Sequence, residues 1–155
     1  MVSSLAELAH AESLRALEKQ ERVLDELRSR TGLLLAASSL AASFVGGRAV
    51  DQGRSVFVLL ALLSFAGSVL GCVYVLVPRP YAFTFSLDGS AVFEQFFAIR
   101  DDLDEVHRRL AYDLHVFWHT NDARIQPLFN AFRLACAAIV VEIVLLLVSV
   151  SDTLL

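Results

Sequence analysis

The sequence predicts an all-α membrane protein, with three transmembrane helices and two long cytoplasmic amphipathic helices that form a coiled hairpin or bundle. Three observations lead there. The chain carries three long apolar runs, at 32–47, 56–77 and 134–150, of 16, 22 and 17 residues. The polar segments ahead of the first and third runs repeat their apolar residues at helical spacings. Threading the chain three times through a bilayer puts eleven of its thirteen Lys and Arg residues on one side.

A helix rises about 1.5 Å per residue, so about 20 apolar residues cross a hydrocarbon core roughly 30 Å thick. The second run suffices alone, and the first and third need their flanks. The composition agrees: 56% of residues are hydrophobic, against about 45–50% in soluble domains. A length of 155 residues makes a single domain, residues 1–155, with no separate catalytic or receptor module. About thirty mostly polar residues precede the first run, which argues against a cleaved signal peptide. Basic residues gather on cytoplasmic loops. The expected home is therefore a membrane, with a cytoplasmic N-terminus and the C-terminus outside.

Residues 4–30 read as a cytoplasmic helix. Ser4 and Glu7 have capping-box spacing, in which each side chain satisfies the other's backbone N–H. Leu14, Leu17, Leu24 and Leu27 form a narrow apolar seam, and charges of both signs cover the opposite face. With no Pro or Gly before Gly32, the helix runs on into the first span at 31–50. A short glycine-rich turn about Gly46, Gly47 and Gly53 leads to the second span at 55–77. Pro78 and Pro80 then break the helix, opening a connector at 78–89. There Tyr81, Phe83, Phe85 and Leu87 alternate with smaller residues. The alternation fits a strand or an aromatic strip at the headgroup level; a lone strand lacks a partner, which favours the interfacial reading. A second cytoplasmic helix is expected over 90–126. Its seam is Phe96, Ile99, Leu103, Val106, Leu110, Leu114 and Phe117, to be covered by the Leu14–Leu27 seam or by another subunit. A bend at Pro127 precedes the third span at 128–150.

Glu142 is the outlier. It lies near mid-membrane, where a carboxylate costs about 2.5–3.5 kcal/mol on insertion scales. Ser39 and Ser43 of the first span and Ser64 and Ser68 of the second lie at comparable depth, completing an intramembrane polar seam. Such a seam lines a pore or acts as a proton-sensitive switch; alternatively it is interhelical glue, worth about 0.6 kcal/mol per hydrogen bond. Gly67 and Gly71, with Ser64 and Ser68, form small-residue patterns that let helices approach closely. Cys72 and Cys136 read as small hydrophobes.

Little else suggests chemistry. His115 and His119 have the i,i+4 spacing of a zinc pair and Asp122 stands near, but no fuller ligand cluster appears. Phosphate-loop and nucleophile-elbow motifs are missing from the sequence. No enzyme activity, cofactor, metal or nucleic-acid partner is expected.

The order of amphipathic helix, LRSRTGLLLAASSLAAS (27–43), short turn, second span, long polar helix and NDARIQPLFNAFRLACAAIVVEIVLLL (121–147) resembles small bacterial membrane proteins of the Pycsar-type transmembrane effector and SLATT group. Arg28-Ser29-Arg30-Thr31-Gly32 stands where many of those proteins carry an Asp-x-Lys-Ala-Gly-like turn. The resemblance implies a membrane-embedded effector that perturbs or permeabilises the inner membrane in antiphage defence once its cytoplasmic helices are triggered. It also implies a cytoplasmic sensor or nucleotide-signal partner, since no cyclic-nucleotide module is visible. Small-residue seams and a spare coil add a homo-oligomer in the lipid bilayer. The alternative is a non-enzymatic scaffolding or accessory subunit of a membrane complex; a transporter fits least, with three spans leaving little room for a repeat.

Overall fold

The structure is a computed structural model that describes residues 4–51, 56–78, 83–99 and 102–151, with the side chains of 44–51, 99 and 149–151 outside the description. Parts of the expected turn (52–55), the break (Pro80) and the aromatic strip (Tyr81), and the side chain of Ile99 in the seam, fall outside the described residues. The order is α1 (Leu5–Asp51), α2 (Val56–Leu76), α3 (Gly89–Phe96), a 3-10 turn (Phe97–Ile99) and α4 (Leu103–Ser151), with no strand among the described residues.

Two helices among the described residues, α2 and α4, are long and apolar enough to cross a membrane, not the expected three. The 32–47 run of the expected first span continues beyond Ser43 into residues whose side chains lie outside the description.

The chain forms two compact units: Met1–Asp25 with Arg79–Gln126, and Glu26–Pro78 with Pro127–Leu155. Both α1 and α4 pass from the first into the second without a break. Continuity of α1 follows from the absence of any breaker before Gly32. α4 also continues through Pro127, although that residue has no N–H to offer the Ala123 carbonyl.

In the first unit α1 starts where the Ser4 hydroxyl accepts the Glu7 N–H at 3.1 Å. Leu17, Gln20 and Leu24 are buried along one face, while Leu14 stays 36% exposed. On α4 the buried stripe is Leu110, Leu114, Asn121 and Ile125. Burying one such leucine contributes about 1.5–3 kcal/mol. His10 stacks on His107, and Gln20 Nε2 donates to the Trp118 carbonyl at 3.0 Å. These contacts advance in the same direction on both helices. The pairing is parallel, so it is not the hairpin expected of the seams.

The expected helix over 90–126 is interrupted. α3 is capped by Asp88, whose carboxylate accepts the Ser90 N–H at 3.0 Å, and it buries Phe96. After the 3-10 turn, Asp102 starts α4 by accepting the Glu105 N–H at 3.1 Å. That restart makes Leu103 the first residue of α4 and leaves it 63% exposed. Val106 and Phe117 are half-buried. Between the helices, Phe83, Phe85 and Leu87 are half-buried while Thr84, Ser86 and Asp88 are exposed, a period-two segment. Its partner is Asn121. The side-chain oxygen accepts the Thr84 N–H at 3.1 Å, and Nδ2 donates to the Thr84 carbonyl at 2.8 Å.

In the second unit α2 buries Ala61, Ser68, Cys72 and Val75. On α4, Leu128, Ala135, Ile139, Glu142 and Leu146 are buried. Both stripes step by 7, 4 and 3 residues, as packed helices with small contact residues do. The outward faces are equally apolar: Leu59, Leu63 and Leu70 on α2 and Val140, Val144 and Leu147 on α4 are exposed. Only 22% of each apolar window is buried. The core helix of a water-soluble protein would be covered on most sides.

Candidate functional site

Glu142 lies in the second unit and is 1% exposed. The helical step from Leu128 through Ala135 and Ile139 brings it to the face of α4 that packs on its neighbours. Its Oε2 is buried without a hydrogen-bond partner. The side chain borders a cavity of about 160 Å³ whose walls are Ala42 of α1, Val58, Ala61 and Phe65 of α2, and Leu146 of α4. Leu62, 54% exposed, lines it as well.

The four serines do not converge on this carboxyl. The Ser64 hydroxyl bridges helices by donating to the Ala138 carbonyl at 2.7 Å, one turn before Glu142. Ser68 is buried and donates to the Phe65 carbonyl of its own helix at 2.8 Å. Ser39 and Ser43 are exposed and donate to Leu35 and Ser39 carbonyls one turn back, each at 2.8 Å. A serine inside a helix readily bonds the carbonyl four residues earlier, which removes the need for a partner across the interface. Thr31 does the same, donating to the Leu27 carbonyl at 2.7 Å while fully buried.

The two glycines separate as well. A Cβ on Gly71 would stand 3.1 Å from Ala135 Cβ and 3.3 Å from the Ala131 carbonyl, so α2 meets α4 there. At Gly67 it would meet nothing within 4 Å. Cys72 is buried and Cys136 half-buried, and neither forms a disulfide.

The first unit carries an open groove of about 710 Å³, with Leu5, Ala6 and Ala9 of α1 opposite Asp104, Arg108 and Tyr112 of α4. At its floor Glu105 accepts from Arg109 Nε at 2.6 Å and Arg108 Nε at 2.8 Å. The Arg109 hydrogen bond, reinforced by Arg108, holds the Glu105 carboxyl below the usual carboxylate range. The His10 and His107 rings stack with centroids 5.4 Å apart, and His107 Nδ1 is buried without a partner. Burial, and then the neighbouring His107, pushes His10 below the usual imidazole range. His115 and His119 bring their Nε2 atoms to 3.2 Å. No group of three or more His, Cys, Asp or Glu residues converges on a metal-sized site among the described residues.

The sequence singled out Glu142 as a carboxylate in an apolar run, and Gly67 with Gly71 by small-residue spacing, but passed over Asn121 and Gln20. Each polar residue continues a leucine stripe, Asn121 seven residues past Leu114 and Gln20 three past Leu17. Their place on the apolar face was the available signal. No protein-family model, curated protein or solved structure matches the chain, so its own residues carry the functional reading.

Proposed function

We propose that this chain is an integral protein of the bacterial inner membrane that permeabilises the bilayer, as an effector of antiphage defence, when its polar helical unit is triggered. The observation that supports the reading is Glu142, a fully buried carboxyl with an unpartnered oxygen in the apolar run of α4. Filling that volume with leucine would avoid an insertion cost of about 2.5–3.5 kcal/mol. A group so costly is expected to serve a path for ions or protons.

In this proposal α2 and α4 span the bilayer, and the apolar half of α1 joins them as a third span. The eleven-to-two distribution of basic residues favours a cytoplasmic N-terminus and an outside C-terminus. Exposed Leu59, Leu63, Val140 and Leu147 then face lipid. Few spans per chain enclose no aqueous path, so the working form is a homo-oligomer. A cytoplasmic sensor or nucleotide-signal partner supplies the trigger.

The test is membrane potential in bacteria expressing the chain together with its neighbouring genes and challenged by phage, followed with a potential-sensitive dye. Depolarisation by the wild type, lost with Glu142→Gln at equal membrane levels, is the expected result. A steady potential with the wild type would sink the effector reading and leave the scaffolding one.

A further inference from the structure

We infer that His115 and His119 form a binding site for a divalent transition-metal ion of the class that prefers imidazole, such as zinc or nickel. The two residues stand one turn apart on α4, and their Nε2 atoms lie 3.2 Å from each other. The ring centroids are farther apart, at 4.5 Å, and the rings are nearly perpendicular, at 87°. The edges that carry Nε2 are therefore the parts that face. A metal about 2.0–2.1 Å from each nitrogen would hold this pair at an angle of about 100–105°, close to tetrahedral. Trp118 meets the His119 ring edge to face with centroids 4.9 Å apart, which limits how far that ring can turn.

The donor set selects the ion. Neutral imidazole suits zinc, copper and nickel, whereas magnesium and calcium need several oxygen ligands. The contact as it stands needs one protonated and one bare Nε2. Both side chains are exposed, so each ring can carry its proton on Nδ1, bonded to water, and turn both Nε2 lone pairs to the ion. No third His, Cys, Asp or Glu joins them among the described residues, so water completes the coordination. The place on α4 gives the ion a consequence. Within this stretch the Trp118 carbonyl accepts from Gln20 of α1 at 3.0 Å, and Asn121 just beyond it holds Thr84. An ion bound across His115 and His119 therefore clamps the turn to which α1 and the extended segment are fastened.

The site lies in the polar unit and needs no permeabilising activity to exist, so either proposal can fail alone. The test is calorimetric titration of nickel chloride into the purified, tag-free full chain in nonionic detergent. One ion per chain should bind, and magnesium chloride should not. His115→Gln and His119→Gln should each weaken nickel binding at least about tenfold, and the double variant little further, because either change alone abolishes the chelate. Both positions are exposed and glutamine is a good helix former, so these variants keep the fold. In the wild type, zinc chloride should shift the ring-nitrogen resonances of His115 and His119, leave those of His10 and His107 in place, and slow amide exchange at Thr84. No nickel binding, equal binding of magnesium, an affinity that survives either single change, or zinc shifts confined to His10 and His107 would each overturn the site. Unchanged exchange at Thr84 would overturn the clamp.

Discussion

Asn121 offers one acceptor and one donor side by side, the arrangement a neighbouring strand presents to an extended chain. It is 1% exposed and spends both groups on the Thr84 backbone. Alternation at Phe83, Phe85 and Leu87 was legible in the sequence, but the partner that satisfies the segment was not. It lies 37 residues away, on a helix. Asn121→Ala should therefore cost about 1–3 kcal/mol, read as a lower unfolding midpoint with faster amide exchange at Thr84. Unchanged Thr84 exchange would show that the pair does not hold the segment. Glu142 was legible for the opposite reason: a carboxylate in an apolar run is conspicuous whatever it touches. Its neighbours were not legible. The serines at similar depth turned back to their own helices or, in Ser64, to the Ala138 carbonyl.

At the scale of elements, α2 and α4 meet through small residues, and the two glycines of α2 separate packing from mere composition. Gly71→Val should cost about 1–3 kcal/mol by overpacking, because its Cβ position already lies 3.1 Å from Ala135 Cβ. Gly67→Ala meets nothing within 4 Å and should be neutral or gain up to about 1 kcal/mol from helix propensity. Detergent unfolding of both variants checks the contrast, and equal effects would refute the assigned interface. Sequence spacing treated the two positions alike, since both recur at small-residue intervals. The expected 90–126 helix failed at Asp102, where an N-cap competes with helix continuation. The seam read through that point was therefore partly an accident of spacing, and Leu103 is exposed.

At the scale of the molecule, folding stability collects the titrations of its parts. Because burial and His107 lower His10 below its ordinary value of 6.5, the unfolded chain binds the proton first. His10's contribution to stability is therefore complete above about pH 6.5 and is lost as pH falls from there toward the folded value. Unfolding midpoints between about pH 7.5 and 5 should fall for the wild type and flatten with His10→Phe. An identical slope in both would remove His10 from the account. Glu105 and Asp88, held low by Arg109 and by Ser90, weaken stability only at more acidic pH. The sequence alone determined that the chain is helical, where its apolar runs lie, and that a carboxylate sits in the last of them. Those features depend on residues three or four apart and on length against a fixed thickness. Only the tertiary structure decided that the α1 and α4 faces pair in parallel, that Asn121 and Gln20 belong to the core, and that Glu142 borders a cavity rather than a serine seam. Each of these depends on groups distant in sequence competing for the same few partners, and local spacing cannot rank such competitors.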